Sequence, residues 1–187
     1  MQAKQEQYPS DWAEDTLIHP WERYFARMID TTLHGWLFFS VFGPIFGEKQ
    51  NIIFYSFLWC FGAALINAAI MTQGTTFGKW LFGIRVVDSN LYPLPFNILI
   101  RRELYVFVKG FALGIPVLNW ICTYIEYVTL LHQGQASWDK KLGTKLLYRP
   151  SSPRQKTLRI IGFIIFCICV VINLLYVFVA MIASLYW

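Results

Sequence analysis

From Ile160 to Trp187 the chain carries no charged side chain, and isoleucine, valine, phenylalanine and leucine fill most of the run. A helix needs about 20 apolar residues to cross a hydrocarbon core, and lipid leaves no backbone polar group unpaired. Such a stretch has few alternatives to a membrane-spanning helix. It exceeds one span, so it is expected to tilt, or to emerge at Ser184-Leu185-Tyr186-Trp187, where Tyr and Trp suit an interface. Composition agrees. The chain is 56% hydrophobic and 14% charged, with mean hydropathy +0.44, whereas soluble domains run near 25% charged.

Three earlier apolar stretches complete the outline: 28–46, 52–71 and 104–131, with a short turn at 47–51. The third contains Lys109, Gly114, Pro116, Asn119 and Glu126. Lys and Arg concentrate before the first stretch and in 72–103 and 132–157, which predicts that the N-terminus and both segments are cytoplasmic. Both ends of the third stretch are then inside. That suggests a re-entrant helical hairpin turning near Gly114-Ile115-Pro116, a broken element tolerated where protein or a water-filled cavity satisfies the backbone. The alternative is one tilted helix kinked at Pro116, against the charge rule. The expected fold is an all-α integral membrane protein with about three transmembrane helices, the re-entrant hairpin and interfacial amphipathic segments. Its parts are a polar tail (1–21), a membrane domain (22–147), a basic linker (148–157) and a C-terminal span (158–187), with the C-terminus outside.

The polar, acidic tail lacks a basic region followed by an apolar core, so a cleaved signal peptide is not expected; Trp12, Leu17 and Trp21 would lay it along the membrane surface. The net charge of +5 does not point to nucleic acid, because Lys and Arg flank apolar runs in the pattern that serves topology and anionic headgroups. Cys60, Cys122, Cys167 and Cys169 lie in apolar runs without ligand spacing and read as small buried residues. In 72–103, a short amphipathic element is expected, then a strand-like 84–87, a turn at Asp88-Ser89-Asn90 and, after Pro93 and Pro95, a second amphipathic stretch. No internal repeat or low-complexity tract is evident.

Arg23, Arg27, Asp30 and His34 stand at spacings of three and four, on one face of the first helix. A carboxylate within a membrane helix costs about 2.5–3.5 kcal/mol on insertion scales, so a partner or a ligand should face this stripe. Gly74-x-x-x-Gly78-Lys79 is one residue too short for a phosphate loop, and Trp80 stands where Ser or Thr should bind magnesium.

Taken in order, Arg23-x-x-Ala26-x-x-Ile29-Asp30, Gly74-x-Thr76-x-Gly78-Lys79-x-x-x-Gly83-x-x-Val86-x-Asp88, Arg101-Arg102 and Trp138-Asp139-x-x-x-Gly143-Thr144 resemble the RDD family of small polytopic membrane proteins. The family is named for one arginine and two aspartates, which match Arg23, Asp30 and Asp139. The resemblance covers 22–147, and the fourth span lies beyond the usual pattern. Phe77 departs from a common Pro, and Ser137-Trp138 from Leu-His. The resemblance implies an inner-membrane protein and leaves the activity open: transport or cation/proton exchange, or an accessory or assembly subunit of a larger membrane complex. A lipid-binding membrane organiser is the third reading, favoured by the basic segments.

Each candidate residue has a structural and a functional reading. Arg23 anchors the membrane edge or pairs with Asp139. Asp30 is the best candidate for a carboxylate that changes charge, and His34 either relays its proton or packs helices by a hydrogen bond. Lys109 and Glu126 are expected to meet as a buried pair across the hairpin, or to line a polar path with Asn119. Lys79, Arg85, Arg101 and Arg102 are expected on anionic headgroups. No catalytic constellation, cofactor loop or metal-ligand spacing is present, so an enzyme, a cofactor and a metal are not expected. The expected partners are the bilayer and further copies or a larger complex, because three spans seldom enclose a path.

Overall fold

A computed structural model describes residues 19–46 and 52–186; the expected tail through residue 18 and the turn at 47–51 lie outside them. Helix α1 (Pro20–Phe46) starts with proline at its first position, where the missing N–H costs nothing. Helix α2 (Ile52–Met71) has the bounds its apolar run predicts. The two helices approach closely because each offers a glycine to the other's ring: Gly35 faces the Trp59 indole and Gly62 faces the Phe38 ring. Helix α3 (Phe77–Phe82) and strand β1 (Ile84–Asp88) follow. Asp88 then closes its turn by accepting from the Asn90 and Tyr92 amides at 2.8 and 2.7 Å.

Helix α4 (Phe96–Tyr105) continues through a π-helical turn (Val106–Gly110) and a 3-10 turn (Ala112–Gly114) before α5 (Pro116–Gln133) turns back. The two arms lie side by side, with the Thr123 hydroxyl donating to the Gly110 carbonyl at 3.1 Å. At the tip, Ala112 and Leu113 take the left-handed conformation at φ 47° and 59°, which is strained for residues with a side chain. Gly114 rests on the backbone of Ser56 and Phe57, where a Cβ has no room. The hairpin thus reaches close to the far end of α2, and both its ends return to the end where α1 begins. It starts at Phe96 rather than 104, because the amphipathic stretch and the apolar run form one continuous arm.

Helix α6 (Ser137–Leu142), strand β2 (Thr144–Tyr148) and helix α7 (Pro153–Tyr186) complete the chain. Helix α7 begins within the expected linker, because Pro153 suits a first helical position. Among the described residues, two helices carry windows apolar and long enough to cross a membrane, at Ile53–Met71 and Pro153–Leu175. Helix α7 turns Ile160, Phe163, Ile164, Ile168, Val171, Leu174 and Leu175 outward, while Cys167 is exposed and Cys169 buried on its other side.

Two expectations need correction. The fold is mostly helical, as expected, but not wholly so: β1 and β2 form an antiparallel pair running from Ile84↔Tyr148 through Val86↔Leu146 to Asp88↔Thr144. Nor does the chain lack a repeat. A six-residue helix, a left-handed glycine and a five-residue strand occur twice, with Gly83 at φ 66°, ψ 34° and Gly143 at φ 64°, ψ 29°. Counterparts differ by sixty in number: Gln73 and Gln133, Gly74 and Gly134, Gly83 and Gly143, Val86 and Leu146. Exchanging the two strands leaves their register unchanged, so a local twofold axis passes through the Val86–Leu146 pair. A helical pair precedes each unit, α1–α2 before the first and the hairpin before the second. A proline-led helix follows each, α4 and α7. Side-chain chemistry diverged while the turn geometry stayed, which hides the repeat in the sequence.

The two units cap one end of the helices. Ala26, Ile29, Leu81, Phe82, Ile84 and Tyr148 form one buried cluster, and Ala68, Met71, Val86, Leu94 and Leu99 form the other.

Candidate functional site

The stripe on α1 meets a different partner at each step. Arg23 donates through Nε to the Tyr148 hydroxyl at 2.5 Å. Arg27 pairs with Glu103. Asp30, fully buried, accepts from the Thr76 hydroxyl at 2.5 Å and the Gly78 amide at 2.7 Å, and Lys79 Nζ lies 3.5 Å away. His34 shares a 2.9 Å hydrogen bond with Asn67 on α2. Helix α3 reaches this deep because residue 78 is glycine: a Cβ there would collide with the Ala26 carbonyl and crowd Asp30.

The second repeat unit builds the same contact with the charges reversed. In the first, the acid (Asp30) is on the long helix and the base (Lys79) is the third residue of the short one. In the second, the base (Arg102) is on α4 and the acid (Asp139) is the third residue of α6. Arg102 holds Asp139 through Nε at 2.7 Å and Nη2 at 3.3 Å, and the Thr144 hydroxyl donates to the same carboxylate at 2.7 Å. Arg102 Nη1 also reaches Glu103 at 3.0 Å. Glu103, bonded to both Arg27 and Arg102, links α1 to α4, the helices that the two units grip.

Arg27, Lys79 and Arg102 therefore stand against Asp30, Glu103 and Asp139, and their formal charges cancel. The buried network is costly to desolvate but closed. Burial would raise the Glu103 carboxyl, yet Arg27, Lys79 and Arg102 outweigh it and hold it at about 2. Lys79 behaves differently. Burial takes its ammonium down to about 8, and the attraction of Asp30 recovers only part of the loss.

Several sequence expectations change. Arg23, Asp30 and Asp139 do not form one clasp, and Asp139 pairs with Arg102, not Arg23. Helix α4 packs against α6 and supplies the bidentate partner, while Arg23 is taken up by Tyr148. Lys109 and Glu126 do not meet: Lys109 is exposed, and Glu126 accepts from the Ser137 amide and hydroxyl at 3.2 and 2.6 Å, holding the start of α6. Asn119 accepts from Thr123 at 3.2 Å within α5. Lys79 and Arg102 are buried in the network rather than spread on headgroups; Arg85 is half-buried and Arg101 exposed. Sequence reasoning missed Glu103 altogether. Its signal was present, as a carboxylate beside two arginines at the start of an apolar run.

A cavity of about 440 Å³ opens beside the network, between α1 and α5. Trp21, Tyr24, Met28, Val106, Trp120 and Tyr124 form much of its wall, with Arg23, Arg27, Arg102 and Asp139 at its polar end.

The RDD family matches residues 17–184. The match includes α7, so the fourth apolar run belongs to the family's extent, not outside it. No curated protein and no solved structure matches the chain.

Proposed function

The chain belongs to the RDD family of membrane proteins, and from that premise we propose that it is a carrier exchanging a small cation for a proton at the Asp30–Lys79 pair. One observation supports this reading above the others: the buried Lys79 ammonium stands 3.5 Å from the fully buried Asp30 carboxylate, and burial takes that ammonium down to about 8. With Lys79 charged, Asp30 is neutralised. With Lys79 neutral, the Asp30 carboxylate and the Thr76 hydroxyl oxygen present the hard oxygen ligands that alkali cations favour. Protonation of Lys79 and cation binding then compete for one carboxylate, and that competition is the coupling. His34 and Asn67, one turn deeper, continue the polar column.

In this reading the chain sits in the inner membrane with three spans on α1, α2 and α7. The 104–131 region re-enters from the cytoplasmic side, where the N-terminus lies, and the C-terminus is outside. The protein works as an oligomer or within a larger complex. A second reading, a non-transporting accessory subunit, is favoured by the cancellation of charge within the network and by the outward apolar face of α7. The two separate in sealed liposomes holding the purified protein. The carrier dissipates a pH gradient when sodium or potassium is added, and a folded Asp30→Asn variant does not. An intact wild type that moves no protons with either cation sinks the carrier and leaves the subunit.

A further inference from the structure

We propose that the cavity between α1 and α5 is a binding site for an acidic phospholipid, whose phosphate sits at Arg23 and Trp138 and whose acyl chain lies along the apolar wall. The inference is independent of ion exchange, because it uses neither Asp30 nor Lys79 as a ligand.

Two buried donors point to the headgroup. Arg23 Nη1 and Trp138 Nε1 are each shielded from solvent without a hydrogen-bond partner among the described residues, and both residues line the cavity. Buried donors of this kind are rare and costly. Both are donors, so the missing group is an acceptor. Arg23 carries a full charge, and the partners seen for it are the hydroxyl and ring of Tyr148, not a carboxylate. Arg27 and Arg102 at the same end are neutralised within the network, and the Glu126 carboxylate, which also lines the cavity, is occupied by the Ser137 amide and hydroxyl, which leaves Arg23, among the described residues, as the cation free to meet a ligand there. A phosphodiester, an anion with several acceptor oxygens, suits donors of both kinds.

The rest of the cavity selects a lipid over a free anion. Its walls are mostly apolar, with Ala26, Met28, Val106, Phe111 and Leu130 behind the polar end. Trp21, Trp120 and Tyr124 line it too and are 57%, 75% and 68% exposed, the ring types that sit at headgroup level. Helix α5 continues outward with exposed Val117, Ile121 and Ile125, so the opening faces the space that acyl chains occupy. A soluble phosphate would leave the apolar wall uncovered.

The test is native mass spectrometry of the full chain in detergent, titrated with phosphatidylglycerol, with phosphatidylcholine and with inorganic phosphate. The wild type is expected to retain phosphatidylglycerol at least about tenfold better than phosphatidylcholine, and not to exchange it for millimolar phosphate. Trp138→Phe keeps an aromatic ring while removing the pyrrole part of the indole and its N–H; Arg23→Gln removes the charge. Each is expected to lower that preference about tenfold, the scale of one hydrogen bond to a charged group. Trp138→Phe decides the matter if Arg23→Gln fails to fold. Equal retention of the two lipids, an unchanged preference in Trp138→Phe, or displacement by inorganic phosphate would overturn the proposal.

Discussion

Glu103→Gln is the sharpest test of how α1 and α4 are held together beneath the two repeat units. The carboxylate is 1% exposed and contacts Arg27 and Arg102. At 3.0 Å and an effective dielectric near 20, one such contact is worth about 5 kcal/mol before desolvation, and desolvation takes back several kcal/mol per ion. Glutamine keeps the shape but turns an N–H toward a guanidinium and leaves two buried cations short of a counter-charge. Removing one partner of a buried pair typically costs about 3–5 kcal/mol. For a chain of this size that corresponds to a fall of about 6–20 °C in Tm, read by thermal unfolding in detergent at pH 7. Arg101→Gln, at an exposed neighbour, serves as control and should move Tm by under about 2 °C. A Glu103→Gln protein that unfolds within 2 °C of wild type would refute the view that Glu103 ties α1 to α4.

The same group predicts an acid limit. Its carboxyl is held at about 2 against an ordinary 4.5, so its stabilisation is complete above pH 4.5 and is lost as pH falls toward 2, by about 3 kcal/mol. Acid titration of Tm should show this loss in wild type and a flatter profile in Glu103→Gln. Gly78→Ala should separate α3 from α1, because the added methyl meets backbone, and should sharply lower folded yield by gel filtration. Lys109→Gln should leave Tm unchanged, while Glu126→Ala should cost about 1–2 kcal/mol by freeing the Ser137 amide; equal effects from the two would contradict the contacts described for them.

Much of the fold is legible in the chain. Apolar length alone sets the bounds of α2, and the run of Ile84 to Val87 lies within β1 as its pattern suggests. The stripe on α1 is visible from spacing because three- and four-residue steps are a property of one helix. Its partners are not, since they depend on which element packs nearest. Arg23 and Asp139 look complementary on paper, but α4 brings Arg102 closer. Lys109 and Glu126 sit on opposite arms, yet Glu126 is claimed by the start of α6. The repeat escaped notice because its counterparts at the site, Lys79 and Asp139, have opposite charge. What persists is backbone geometry, the glycines at 83 and 143, and three-residue helical spacing that no residue-by-residue likeness reports.

In the proposed exchange Lys79 releases a proton to expose Asp30, and Lys79→Arg blocks that step. Arginine keeps the positive charge beside the carboxylate but does not deprotonate. In liposomes whose protein has first been shown folded by gel filtration, wild type should move protons in a sodium- or potassium-dependent manner that strengthens as pH rises through 8, and Lys79→Arg should move none. Exchange by Lys79→Arg at the wild-type rate, with the wild-type pH dependence, would contradict the claim.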